Sequence, residues 1–298
     1  MSNRIDIIEY FDSPINRDQI EFSLNPFFVS LHKVDFHYQK VPDMPDWVDA
    51  EVAAQSPRKN TWVANLQNLS YTPGHLKIGY NLTDMKNLFG IRKVGPKLGE
   101  NLHDTLVKNI APIGFIGILE TSDNQIVYEV RGKSVQVPGK IIPLPAGNLE
   151  DTECSGKMQT LIEGLYQRGD REIGFNRNDM DESSISLIGI GRDRIESWNP
   201  APTFVIRTLK TLDRVREKYQ HAKNITPQEE SERLIPKQID EKILGDYVVD
   251  NAQNFVGNGI GATLLYGRFK FGGRWYMDTV GRLTEKNFVI VENNPYRN

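Results

Sequence analysis

The sequence predicts an α+β protein, in which strands and helices occur along one chain. Three observations support this prediction. Residues 111–147 read as strands separated by turns, and residues 158–173 carry apolar side chains at the spacing of one helix face. The charged segment 209–223 also has helical spacing, which is typical of a helix that is partly in solvent.

The strands of the first segment are separated by recognisable turns. A Ser-Asp-Asn turn at residues 122–124 joins the first strand to a second strand, which ends at Arg131. A Pro-Gly loop then leads to a further strand and to a Pro-Ala-Gly turn that ends at Gly147. The sequence therefore predicts a hairpin followed by a glycine turn.

The predicted helix after this turn has one apolar face. Its apolar positions are Met158, Leu161, Ile162, Leu165 and Tyr166. Glu163 lies on the polar face, and Gly174 stands where such a helix would end. If the helix is continuous, Glu172 turns towards the apolar face, and only an interruption at Gly169 would direct it towards a metal ion.

A glycine turn followed by an acidic helix is suited to holding a divalent cation against a diphosphate. Carboxylate oxygens are preferred ligands of Mg²⁺ and Mn²⁺, and such ions usually share their ligands between protein and substrate phosphates. The segment from Gly147 to Glu172 is therefore the first candidate for a functional site.

Residues 147–175 resemble the Nudix box, the loop–helix motif of Nudix hydrolases. That motif reads Gly, five residues, Glu, seven residues, Arg-Glu, an aliphatic residue, any residue, Glu-Glu, any residue, Gly and an aliphatic residue. Gly147 and Glu153 have its first spacing, and residues 172–175 match its end.

The flanking segments resemble Nudix domains in the same order along the chain. Residues 111–147 are similar to the opening strands of the branch that includes UDP-sugar diphosphatase-like members. Residues 185–211 are similar to the later strand pair, with an Asn-Pro joining turn at 199–200, and residues 262–275 are similar to the C-terminal end. The resemblance implies a Nudix-like α/β/α sandwich with a mixed sheet.

The predicted domain boundary lies near residue 110. The resemblance assigns residues 111–298 to the Nudix-like domain. Residues 1–110 are predicted to form a smaller N-terminal accessory region, α+β or β-rich, because 61–69 and 76–80 have the composition of strands.

The implied activity is metal-dependent hydrolysis of a nucleoside diphosphate linked to another group, with UDP-sugars as the first substrate class. The implied ligands of Mg²⁺, or of Mn²⁺ in its place, are Glu153, Glu163 and Glu172. Glu172 would also be catalytic, and Glu230 is the late acidic residue that would act as a base or as an extra metal ligand. Arg131 and Gly147 would contact the substrate, since a guanidinium can bind phosphate bidentately.

Each candidate also has a structural interpretation. Glu153 belongs to an acidic loop, and negative charge is favourable ahead of a helix. Glu163 and Glu230 are charges of the kind that helices expose to solvent, and Arg131 stands at a predicted strand end.

The central Arg-Glu pair of the box is missing from this chain. Counting from the start of the motif places a Leu-Ile pair at 161–162 there, and counting back from its end places a Gln-Arg pair at 167–168 there. Arg171 also replaces the first residue of the Glu-Glu pair. The alternative function is therefore a catalytically inactive Nudix-like module that binds a nucleotide or regulates. A third interpretation is a protein-interaction role for residues 1–110.

Two C-terminal segments carry further predictions. Thr226 and the proline after it predict a helix start, which would place Glu230 on a helix. Residues 257–267 are rich in glycine but lack the Gly-Lys-Ser/Thr end of a phosphate loop, so we expect a turn that leads into a strand. Trp275 and Tyr276 would close a core, or alternatively stack on a base or sugar.

Composition narrows the classes of partner. A net charge of −3 and a pI near 6.0 argue against broad non-specific binding of nucleic acid. The prediction of a nucleotide or nucleotide-sugar ligand rests on the Nudix-like motif alone. The single cysteine, Cys154, cannot form an internal disulfide, which favours a reducing, cytoplasmic compartment. No run approaches the roughly 20 apolar residues of a membrane helix. Oligomeric state does not follow from the sequence.

Overall fold

The fold of the chain is α+β, with two β-sheets and helices on both faces of the larger sheet. The computed structural model describes residues 3–16, 19–24, 45–54, 62–72, 75–94, 97, 111–133, 137–151, 161–193, 199–225 and 231–292. Within these ranges, no helix is long and apolar enough to cross a membrane.

The described residues form strands and helices that are interspersed along the chain. The strands are β1 (Asn3–Asn16), β2 (Ile20–Leu24), β3 (Trp62–Thr72), β4 (His75–Asp84), β5 (Gly114–Glu120), β6 (Gln125–Arg131), β7 (Ile141–Pro143), β8 (Ala146–Asn148), β9 (Glu150–Asp151), β10 (Ser186–Asp193), β11 (Ala201–Arg207), β12 (Ser231–Gln238) and β13 (Phe288–Glu292). The helices are α1 (Asp46–Ala53), α2 (Met85–Val94), α3 (Leu161–Ile173), α4 (Leu212–Ile225), α5 (Glu241–Asp250), α6 (Gly257–Phe271) and α7 (Gly273–Glu285).

The larger sheet is mixed, as predicted. Its strand order is β12-β6-β5-β11-β10-β1-β13, with β7 paired to β6 and β8 paired to β5. The pairs β11–β5 and β1–β13 are parallel, whereas β10–β11, β1–β10 and β12–β6 are antiparallel. The smaller sheet has the order β2-β4-β3-β9.

Both faces of the larger sheet are covered. In β5, Phe115 and Leu119 contribute to a core shared with α3, α4 and the smaller sheet, whereas Ile116 and Ile118 contribute to a second core shared with α5, α6 and α7. Alternate side chains of a strand point to opposite faces, which explains this division. It also explains why β5 is buried along its whole length and shows no polar face.

The predicted boundary at residue 110 passes through both sheets. Strand β1 lies inside the larger sheet, between β10 and β13. Conversely, strand β9, which follows residue 110 in the sequence, pairs with Trp62 and Val63 of β3 in the smaller sheet. The N-terminal region therefore supplies one strand to the larger sheet and receives one strand into its own.

Local turn and strand predictions agree with the structure. The turn at 122–124 joins β5 to β6, with Asn124 at a φ of 62°. The predicted strands at 61–69 and 76–80 correspond to β3 and β4, which pair with each other. The predicted helix at 209–223 is α4, with Val215 and Tyr219 turned into the core.

Two C-terminal predictions are wrong. Residues 257–267 do not form a turn and a strand but most of helix α6, in which this segment is buried throughout. A helix buried on all sides has no amphipathic period to read. Likewise, the helix predicted from Thr226 does not extend over residues 231–238, which form β12 and pair with β6. Residues 226–230 lie outside the described ranges. Trp275 and Tyr276 are buried core residues, as the simpler interpretation expects.

Candidate functional site

The candidate site is the contact between β8 and helix α3. Strand β8 is held by β5, with Gly147 opposite Phe115. Helix α3 ends where the sequence predicts, because Gly174 has a φ of 68° and its N–H donates to the Asp170 carbonyl at 2.9 Å. This left-handed glycine termination stops the helix cleanly.

Glu172 is buried at this contact. Its side chain lies on the same face of α3 as Leu161 and Leu165, and it is 7% exposed. The carboxylate atom Oε2 accepts the N–H of Ala146 at 3.2 Å. Helix α3 is continuous through Gly169, so Glu172 turns inward as expected for an unbroken helix. Its carboxylate therefore joins α3 to the first residue of β8.

Arg168 lies between two carboxylates at the same contact. Its Nη1 is 4.0 Å from Glu172 Oε1, one helical turn away, and its Nη2 is 3.8 Å from Glu150 Oε1. All three side chains are mostly buried, which strengthens the attraction between their charges. The guanidinium is thus a cation that is provided by the chain itself and lies within 4.0 Å of both carboxylates, although its single positive charge balances only one of the two negative charges.

Gly147 is explained by this arginine. A Cβ at position 147 would lie 2.7 Å from Arg168 Nε and 3.1 Å from Phe115 Cζ. Any larger residue would displace the Arg168 side chain from β8. The glycine that the motif associates with substrate therefore has a packing role in this structure, because it admits Arg168.

Glu163 lies on the opposite side of the helix. It is exposed, and nine residues separate it from Glu172, which is about two and a half turns at 3.6 residues per turn. Helix α3 cannot direct both carboxylates to one ion. Across the described ranges, no three His, Cys, Asp or Glu side chains gather as a metal site would require. Glu153 lies outside those ranges, so its metal role stays a prediction.

The remaining candidates lie elsewhere. Arg131 ends β6, where it is half-buried and opposite Ser231 of β12. Its backbone is fixed by Lys140, whose carbonyl accepts the Arg131 N–H at 2.8 Å. Contact between Arg131 and a substrate stays a prediction. Glu230 lies outside the described residues.

Arg168, the centre of this site, is not among the site residues that the sequence predicts. In the sequence it stands only at the position of the missing Arg-Glu pair. One signal was present, because arginine and glutamate four residues apart are neighbours on a helix surface. The partner across the fold, Glu150, could not be found from spacing alone.

Comparison with known proteins adds little to this geometry. No known protein family matches the chain, and no curated protein matches it either. Among solved structures, the chain is similar to the crystal structure of Tm1382, a proposed Nudix hydrolase. The TM-score is 0.35 and the identity 8%, over 70% of this chain and 98% of that chain. This likeness is too low to support a family or a function.

Proposed function

We propose that the chain is a Nudix-like module that binds a nucleotide or nucleotide-sugar and does not hydrolyse it at helix α3. The position of Arg168 carries this proposal. The arginine lies between Glu150 and Glu172, at distances of 3.8 and 4.0 Å. A divalent ion bound there would need carboxylate oxygens at about 2.0–2.6 Å, in the space next to the guanidinium.

The described residues do not fit a Mg²⁺ or Mn²⁺ site. One oxygen of Glu172 accepts the Ala146 N–H, and the other faces Arg168. Glu163 is exposed, on the side of helix α3 opposite Glu172. A metal ion would have to compete with a positive side chain that the fold already accommodates through Gly147.

The ligand class rests on the motif. The spacing from Gly147 to Glu153, the match at residues 172–175 and the order of the flanking strands support a Nudix-like ancestry, and hence a nucleotide-type ligand. Arg131 would supply the phosphate contact, since its planar guanidinium suits phosphate oxygens. The single cysteine supports a reducing, cytoplasmic setting.

Metal binding by an arginine variant tests the proposal. We expect no saturable Mn²⁺ binding at α3 in the wild type, measured by paramagnetic relaxation of water. Arg168→Met should gain a weak site, because it leaves Glu150 and Glu172 without their shared cation. Arg171→Met, an exposed arginine on the same helix, is the matched control and should gain none. Equal Mn²⁺ binding by all three proteins would contradict the role of Arg168.

Nucleotide binding is measured on the same proteins. UDP-glucose should raise the unfolding temperature of the wild type with or without Mg²⁺. A ligand at 100 times its dissociation constant stabilises by about 2.7 kcal/mol, which is readily detected. No thermal shift with any nucleoside diphosphate or nucleotide-sugar would refute the binding proposal and leave the protein-interaction role of residues 1–110.

A second candidate is the metal-dependent hydrolase of a nucleoside diphosphate linked to another group. One observation favours it: Glu150 and Glu172 already flank a single cation. Its catalytic residues would be Glu172 and Glu230, and UDP-sugars would be the first substrates. Metal-dependent release of nucleoside monophosphate that Glu172→Gln abolishes and the exposed control Glu217→Gln retains would establish this function instead.

A further inference from the structure

A second concave site lies on the other face of the larger sheet. It is a groove of about 480 Å³ between β12, helix α5 and the loop that precedes β7. Ile235 and Tyr247, which line it, belong to the core under α5, α6 and α7, whereas α3 packs on the opposite face. The sheet therefore separates this groove from Arg168, and the two sites can be tested independently.

The charge of the groove is positive. Arg233 and Lys237 stand four residues apart on β12, so both point to the same face of the strand. In the described part of the chain, no carboxylate pairs with either side chain, and the described lining contains no acidic residue. Lys140, next to the lining, adds an ammonium at the rim, where it donates to the Gln253 carbonyl at 2.6 Å.

The lining of the groove contains a buried hydroxyl group. Tyr247 is 9% exposed, and its hydroxyl has no hydrogen-bond partner among the described residues. The ring is fixed by Tyr128 and Phe255, with ring centroids 5.3 and 5.6 Å away. Burial raises the pKa of the hydroxyl, which therefore stays protonated and can donate. Buried polar groups are normally satisfied, so this donor calls for an acceptor.

The cations are arranged around this tyrosine. Lys237 Nζ lies 4.2 Å from the centre of the Tyr247 ring, and the Arg233 charge acts on the same hydroxyl. Asn251 and Asn254, at the end of α5, add amide groups to the lining. The C-terminal end of α5 contributes only about half a negative charge, which the two full positive charges outweigh.

We propose that this groove binds the phosphate group of a small phosphomonoester. Arg233 and Lys237 would neutralise the dianion, the Tyr247 hydroxyl would donate to a phosphate oxygen, and the asparagine amides would fix the remaining part of the ligand. The volume lies within the range of about 300–1,000 Å³ that is usual for small-molecule sites. The proposal does not depend on a nucleotide site at α3.

Titration calorimetry with inorganic phosphate and with glucose 6-phosphate tests the site. Wild type should bind both saturably, and Arg233→Gln/Lys237→Gln should weaken each by about tenfold or more. The matched control is Arg214→Gln/Arg216→Gln, which removes the same charge from two exposed positions of α4. It should change neither affinity by more than about twofold. Tyr247→Phe should weaken binding by at least about threefold, with its unfolding temperature showing that the fold persists.

Three outcomes would overturn the proposal. They are the absence of saturable phosphate binding by wild type, equal weakening in the control double variant, and unchanged binding in Arg233→Gln/Lys237→Gln. Sedimentation with vesicles that contain phosphatidic acid distinguishes a lipid source of phosphate. Binding to such vesicles without binding of glucose 6-phosphate would refute the small-molecule assignment.

Discussion

The buried ion pair between β1 and β10 makes an asymmetric prediction. Asp6 and Arg192 are register partners, both are fully buried, and the carboxylate accepts a hydrogen bond from Arg192 Nη2. Asp6 has a second cation, because Arg4 Nε donates to it at 2.9 Å. Arg192 has no second hydrogen-bonding partner among the described residues, since its Nε and Nη1 are unpaired there.

Removing either charge should therefore have different costs. Asp6→Asn leaves a buried guanidinium without its carboxylate, and we expect it to lower the free energy of unfolding by about 3–5 kcal/mol. Arg192→Met leaves Asp6 beside Arg4, and we expect a smaller loss of about 1–3 kcal/mol. Either loss is large compared with the free energy of unfolding of a typical domain, which is roughly 5–15 kcal/mol.

Urea unfolding of both single variants and of the double variant measures these costs. The double variant should cost less than the sum of the single variants by about 0.5–3 kcal/mol, because the second change removes a charge that has already lost its partner. An Arg192→Met cost equal to or above that of Asp6→Asn would refute the asymmetry. Additive costs would refute the pairing itself.

Two further properties can be checked by unfolding. Gly267→Ala should destabilise by about 1–3 kcal/mol, because the new Cβ would lie 1.8 Å from the Trp275 ring. Gly281→Ala, exposed and with open space around it in α7, should instead stabilise by about 0.5–1 kcal/mol, and a loss as large as that of Gly267→Ala would contradict this packing. For Asp179, burial opposes ionisation, but Lys218 at 2.8 Å and further donors outweigh it and hold the pKa below 3.8. The contribution of the ionised Asp179 to the free energy of unfolding should be complete above pH 3.8 and should disappear as the pH falls through the pKa of the folded protein. The urea midpoints of wild type and Asp179→Asn should therefore converge as the pH is lowered. A difference between the two midpoints that stays constant with pH would contradict this link between ionisation and stability.

Local signals in the sequence were sufficient for the elements that local chemistry determines. The turn at 122–124 and the stop at Gly174 depend on one or two residues with positive φ, and both were predicted. Helix α3 was predicted too, because one face is apolar and the other is not. Its geometry alone indicated that an unbroken helix would bury Glu172.

Elements whose structure depends on residues far away in the sequence could not be predicted from local sequence signals. Residues 257–267 of helix α6 are mostly apolar or small and are all buried, so this segment has no periodic signal. Strand β12 is a strand because it pairs with β6, about 100 residues earlier, although its preceding residues resemble a helix start. At the site, the position of Arg168 depends on Gly147 and Glu150, which another part of the chain contributes.

The parallel pairing of β1 with β13 has a consequence for folding kinetics. Asn3 of β1 is aligned with Phe288 of β13, so the first described strand pairs with the last described strand. During synthesis, one edge of β1 cannot pair until residues 288–292 of β13 have been made. Contacts of such long sequence separation slow folding, because loop-closure entropy is lost before they form. We therefore expect the larger sheet to close in a late step, after its central strands have paired.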